Sequence, residues 1–223
     1  MPLTITATYP EWDYKGSDVV AQTATRLFQS RPEPCRLSPF VFMSDPKLIP
    51  NLATIIERLP RKAAIIYRHF GKSDRLEEAK RLRQITFKNQ QQLLIGADPD
   101  LAIQVGADGV HFKRDESLTH PKIWRTRCPE WIITMAGIKS GQYSQSLSIL
   151  DGLLVSSVFK SQSPSAGLPI GVKAFTNYAK TLDCPVFALG GINAKTAPCL
   201  SLIDSGAYGL AGIRGLTDVL IRT

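Results

Sequence analysis

From residue 40 onward, short apolar runs alternate with longer amphipathic stretches. The runs occupy 40–43, 63–67, 92–95, 109–112, 131–135, 152–155, 186–189 and 208–211. Most are continuous blocks without in–out alternation, which is the signature of parallel strands covered by helices. Between them the spacing turns helical. Leu48, Leu52, Ile55, Ile56 and Leu59 mark the first helix, and further helices are predicted over 74–87, 100–105, 121–128, 143–150 and 171–181. Asp98 stands where it would cap the helix over 100–105. Ahead of this alternation, residues 17–29 predict one more helix, with Ser17 as its cap and Val20, Ala24, Leu27 and Phe28 on one face. Arg31-Pro-Glu-Pro ends it. Residues 1–36 thus read as a helical extension packed on one domain spanning 37–223.

Eight strand-and-helix units in succession predict an α/β protein of the (β/α)8 TIM-barrel type. The rival is a doubly wound open sheet, but no GxGxxG follows the first strand. In a barrel the loops at strand C-termini build the site, and those after strands seven and eight often hold phosphate. Here those two strands end in Gly190-Gly191 and in Gly212. Glycine lets backbone approach a ligand closely. Asn193 is placed to cap the helix after the first turn, and a short final helix is expected after the second. Two such turns side by side, each feeding a helix N-terminus, predict a phosphate cradle.

Composition narrows the picture. A chain of 223 residues with 43% hydrophobic content can bury one large core. No apolar run approaches the roughly 18 residues of a membrane span, and the N-terminus lacks a secretory pattern. A cytoplasmic protein is expected. Cys35, Cys128, Cys184 and Cys199 show no paired spacing and read as isolated small hydrophobes. The net charge of +8 suits anionic partners. A nucleic-acid partner is disfavoured, because aromatics are not interleaved with the basic clusters. A phosphorylated small molecule is the expected ligand.

Three segments stand out: Gly106-Ala-Asp-Gly-Val-His111 at strand four, Ala188-Leu-Gly-Gly-Ile192 after strand seven, and Gly206-Ala-Tyr-Gly-Leu-Ala211 at strand eight. Together they resemble the thiamine phosphate synthase family and its thiazole tautomerase-like branch. Ser44-Asp45 after strand one and Arg68 after strand two extend the likeness. The resemblance implies coupling of hydroxymethylpyrimidine diphosphate to thiazole phosphate with release of pyrophosphate, and Mg2+ as cofactor. It also implies that Gly190, Gly191, Gly212, Ile213 and Arg214 hold the thiazole phosphate, helped by Ser161 and Ser163. Relatives of this shape often form homodimers.

The chain departs from the family pattern in several places. The Asn-Asp ending strand three reads Gly96-Ala97, with Asp98 one residue late. The segment after His111 reads Lys113-Arg114-Asp115-Glu116, and the strand-five serine is Ala136. The strand-six loop reads Ser161-Gln-Ser163-Pro164 without the family's lysine. The lysine two residues beyond Arg68 is Phe70, with Lys72 further on, and the strand-eight serine is Arg214. Asp98 and Glu116 are then either the Mg2+ pair or carboxylates at helix starts. Lys72, Lys113 and Arg114 are candidate diphosphate ligands, and Lys113 and Arg114 could partly replace metal. Arg68 is a phosphate ligand or an ion-pair partner of Glu77 or Glu78. His111 reads more readily as a structural histidine than as a catalyst. Arg68, Glu116 and Lys139 are the candidate catalytic residues. Lys139, in Gly137-Ile138-Lys139 after strand five, also leaves room for a tautomerase-like isomerase, and a non-catalytic phosphate-binding barrel is the third reading.

Overall fold

A computed structural model describes residues 18–114, 117–137, 143, 145–163 and 167–217. Eight parallel strands close into a barrel in chain order: β1 (Phe40–Met43), β2 (Ala64–Tyr67), β3 (Gln92–Gly96), β4 (Gly109–Phe112), β5 (Ile132–Ala136), β6 (Gly152–Val155), β7 (Val186–Leu189) and β8 (Gly209–Gly212). β8 returns to β1, with Phe40 opposite Leu210. Around them lie α1 (Val19–Gln29), α2 (Leu52–Arg58), α3 (Arg75–Lys88), α4 (Pro99–Val105), α5 (Thr119–Arg127), α6 (Gly171–Thr181) and the short α7 (Pro198–Ser201). This is the predicted (β/α)8 TIM barrel with its N-terminal helix.

Apolar side chains on the outside of the strands pack under the helices. A second cluster fills the barrel itself, with Val41, Met43, Ile66, Leu94, Phe187 and Ala211 among its members. Cys35 and Leu37 belong to that inner cluster, so the segment after α1 plugs the barrel at the N-terminal ends of the strands. Gly152, the first residue of β6, makes room for the plug. A Cβ there would lie 2.7 Å from Leu37 Cδ2 and 3.1 Å from the Phe187 ring. Burying a leucine as completely as Leu37 contributes roughly 1.5–3 kcal/mol.

Two aspartates lock the same end. Asp108, just before β4, accepts both guanidinium NH2 groups of Arg83 on α3 and the N–H of Leu93 on β3. Asp151, just before β6, accepts from one guanidinium NH2 group of Arg125 on α5 and from the N–H of Ile133 on β5. The aspartate of the Gly106–His111 motif therefore works at the closed end of the barrel, far from the loops that form the open mouth.

Three expectations change. Ser17 lies outside the described residues, and Asp18 caps α1, its carboxylate accepting from Val20 and Ala21 N–H. No helix occurs between β5 and β6 among the described residues, where one was expected over 143–150. Ser146 there donates to Asp183, whose other oxygen accepts from Leu147 N–H, and such bonds compete with helix formation. After β8 the described chain makes a 3-10 turn, Arg214–Leu216, and the remainder of the expected short final helix, over 218–223, lies outside the described residues.

α1 packs against α7, β8 and β1, on the outer layer where the barrel closes. Arg31 at its exit pairs with Asp204 at 2.7 Å. Together Arg31 and Lys180 hold that carboxyl down to about 2. All four cysteines are free, and burial pushes the Cys35 and Cys184 thiols up to about 12.

Candidate active site

The C-terminal ends of the strands open into a cavity of about 620 Å³. Met43, Leu48, Ala136, Leu189 and Ile192 give it apolar surface. Its charge comes from Arg68, Lys113, Arg114, Lys160 and Arg214, and no Asp or Glu lines it among the described residues. A mouth of this kind attracts polyanions, because five positive charges share a concave surface of reduced dielectric.

Each wall is set by its strand. Arg68 ends β2, and Ser44 at the end of β1 fixes it: the Ser44 hydroxyl accepts from Arg68 N–H at 2.8 Å and its carbonyl accepts from Arg68 Nε at 3.0 Å. Burial lowers the guanidinium's affinity for its proton, against the favourable charge of Asp45. Neither Glu77 nor Glu78 pairs with it; Glu78 instead takes Tyr67, His69 and Lys72. His111 on β4 is buried and bonded to Thr134 at 2.9 Å. Burial, with Arg68 nearby, pushes its imidazole down to about 3, so the ring is neutral at pH 7.

The loop after β6 is stitched onto the turn after β7. Leu189 and Gly190 carbonyls accept from Val158 and Phe159 N–H at 2.9 and 3.0 Å. The glycine pair makes that contact possible. At Gly190, with φ of +93°, a Cβ would lie 2.1 Å from Ser157 Oγ, and at Gly191, with φ of +68°, 2.5 Å from the Lys160 carbonyl. What approaches these glycines closely is thus the β6 loop of the same chain. The result still serves a ligand, because the loop brings Ser161, Ser163 and Lys160 over the mouth. Arg214 reaches back to Gln162 at 2.9 Å and ties the β8 turn to the same loop. The helix-dipole part of the expected cradle is small, since α7 has four residues and the final 3-10 turn three. Asn193 does cap the turn before α7, its side chain accepting from Lys195 and Thr196 N–H.

Most of the sequence candidates meet here: Arg68, Lys113, Arg114, Ser161, Ser163, Gly190, Gly191, Gly212, Ile213 and Arg214 all line one cavity. Lys72 does not line it, and pairs with Asp74 and Glu78 at 3.3 and 3.2 Å. Glu116 and Lys139 lie outside the described residues. Sequence reasoning missed Lys160, whose signal was a lysine directly before the hydroxyls of the β6 loop. It also missed Phe70 as part of the wall, where the ring stands 5.1 Å from the Lys113 ammonium.

Asp98 does not fit a magnesium site. One carboxylate oxygen accepts from Leu101 N–H at the start of α4, and the other is held by the Arg75 guanidinium. Arg75 also donates to the Gly96 carbonyl at 2.9 Å, the position where the family pattern carries its acid–amide pair. The carboxylate is committed to capping and ion pairing, outside the cavity. Among the described residues no cluster of three His, Cys, Asp or Glu side chains could hold a metal.

Comparison with known proteins places this geometry. The family model described as thiamine monophosphate synthase matches residues 41–216. A thiamine-phosphate synthase of Azoarcus sp. (strain BH72) is 30% identical over 174 residues, covering 73% of this chain and 80% of that protein. A thiamine-phosphate synthase of Oceanobacillus iheyensis is 29% identical over 163 residues, covering 70% and 77%. Among solved structures, a thiamine phosphate pyrophosphorylase from Pyrococcus furiosus superposes with a TM-score of 0.59 at 25% identity, covering 78% of this chain and 84% of that one.

Proposed function

We propose, from the premise that this chain belongs to the thiamine monophosphate synthase family, that it is a divergent thiamine phosphate synthase. It would couple hydroxymethylpyrimidine diphosphate to thiazole phosphate and release pyrophosphate. The observation that carries this reading is the cavity at the strand C-termini, where cations from the loops after β2, β4, β6 and β8 converge in a family-matched barrel.

The reaction breaks the C–O bond between the pyrimidine methylene and its diphosphate, and the electron pair leaves with pyrophosphate. The thiazole nitrogen then gives its lone pair to the methylene carbon. The protein must hold two anions apart and stabilise the charge that builds on the departing one. On one side, the β7 and β8 turns with Arg214, Ser161 and Ser163 would hold the thiazole phosphate. On the other, Arg68, Lys113 and Arg114 would face the diphosphate. Apolar walls from Met43, Leu48 and Leu189 exclude water, which would otherwise capture the pyrimidine cation. His111, neutral and tied to Thr134, would support the floor without moving a proton.

No helix of the described residues is long and apolar enough to cross a membrane. Cytoplasmic placement and a homodimer belong to the same reading, and light scattering on the purified chain tests the dimer. The central test supplies both precursors to the pure protein and follows thiamine phosphate and pyrophosphate. Product that requires both precursors supports the synthase. No product at any Mg2+ concentration overturns it.

A further inference from the structure

The site that would neutralise a leaving diphosphate is where this chain differs from its family pattern. Asp98, the remaining acid at the end of β3, is captured by Arg75 and by the start of α4. The family's Gly-Gln-acid-Asp after His111 reads Lys113-Arg114-Asp115-Glu116 here, so two cations stand where the pattern has none, and both line the cavity. Asp115 and Glu116 lie outside the described residues. Lys160, on the loop stitched to Gly191, lines the same cavity.

Two polar groups of this wall are buried without a partner. Arg114 Nε is buried and unbonded, while the same guanidinium donates to Ser156 at 3.3 Å. Ser157, only 1% exposed, has an unpartnered hydroxyl beside it in the loop. Buried donors are seldom left unsatisfied, and each orphan points to an acceptor that completes it. Acceptors rich in oxygen and negative charge suit a guanidinium best.

We propose that Lys113 and Arg114, with Lys160 in the same cavity, bind the diphosphate and the pyrophosphate formed from it as a side-chain replacement for the divalent cation. The two positive charges of Lys113 and Arg114 equal that of one divalent ion. Arg114 Nε and the Ser157 hydroxyl supply the directional bonds. Among the described residues the mouth carries five cations, and their shared field favours a polyanion there. The inference rests on the coupling reaction proposed above.

The test is calorimetric titration of the full chain with inorganic pyrophosphate, first in EDTA and then with excess Mg2+. Thiamine phosphate formation is followed on the same preparations. Binding is expected in EDTA, and excess Mg2+, which chelates pyrophosphate in solution, should not strengthen it. Lys113→Gln and Arg114→Gln should each weaken it by about tenfold or more, the scale of one charge-assisted bond, with Arg114→Lys recovering part. Thermal unfolding of each variant confirms that it is folded, and Lys122→Gln on the outer face of α5 should bind like the parent. Binding that appears only with Mg2+ overturns the inference, and so does unchanged affinity in both glutamine variants. If thiamine phosphate still forms in those cases, the synthase reading survives alone. Pyrophosphate bound in EDTA with no thiamine phosphate formed under any condition supports the cation site and overturns the coupling.

Discussion

His111 makes the fold sensitive to acid. In the folded barrel its imidazole is held neutral down to about pH 3 by burial and by Arg68, whereas the ordinary value is 6.5. The unfolded chain therefore takes up a proton that the folded chain refuses. The neutral ring costs no stability above pH 6.5, and the penalty grows as pH falls from there toward 3. At about 1.4 kcal/mol per pH unit, lowering the pH to 5 removes roughly 2 kcal/mol. His69, lowered by burial against the pull of Glu78, acts in the same direction. Urea unfolding at pH 7 and pH 5 checks this, since His111→Asn can keep the Thr134 bond without titrating. The variant should lose less stability between the two pH values than the parent; equal losses would refute the assignment. Gly190 tests the stitched loop at the same scale. Gly190→Ala meets both a positive φ and Ser157 Oγ at 2.1 Å, so about 1–3 kcal/mol of stability should go and thiazole phosphate affinity with it. A variant with parental thermal unfolding and parental affinity would show that the loop moves aside freely.

At the scale of elements, strand ends are tied to helices by aspartate–arginine pairs. Asp151 is 11% exposed and collects Arg125 together with Ile133 N–H, while Arg125 also donates to the Trp131 and Ile149 carbonyls. Asp151→Asn keeps the shape but leaves the guanidinium partly buried without its counter-charge. It should lower the unfolding free energy by about 2–3 kcal/mol, against within about 0.5 kcal/mol for Lys122→Gln on the surface. Chemical denaturation of both variants decides. The same elements show what a sequence can carry. Continuous apolar runs located all eight strands to within a residue or so, because burial on both faces leaves little choice of side chain. The segment over 143–150 misled because its helical spacing coexists with Ser146, whose bond to Asp183, like that of Leu147 N–H, forms only once α6 has turned back to bring Asp183 near. Asp98 was half legible: the cap on α4 is local, but its capture by Arg75 joins residues 23 positions apart.

Over the whole molecule, positive charge is both general and focused. The net +8 of the chain surrounds a mouth carrying five cationic side chains, and the anionic substrates of the proposed reaction must pass that field. The sequence showed the excess charge but not its focus, because Arg68, Arg114, Lys160 and Arg214 come from four loops that only barrel closure assembles. Such focusing raises the rate at which anions arrive, and salt weakens it as the screening length shrinks from about 10 Å at 0.1 M to about 3 Å at 1 M. Raising KCl from 0.05 to 0.5 M should therefore lower kcat/KM for the pyrimidine diphosphate by about tenfold, with kcat changed far less. Thermal unfolding at both salt concentrations separates this from loss of fold. Arg214→Gln removes one charge from the rim, so its kcat/KM should start lower and fall less steeply with salt. A salt dependence as steep in Arg214→Gln as in the parent would place the attracting field elsewhere on the surface.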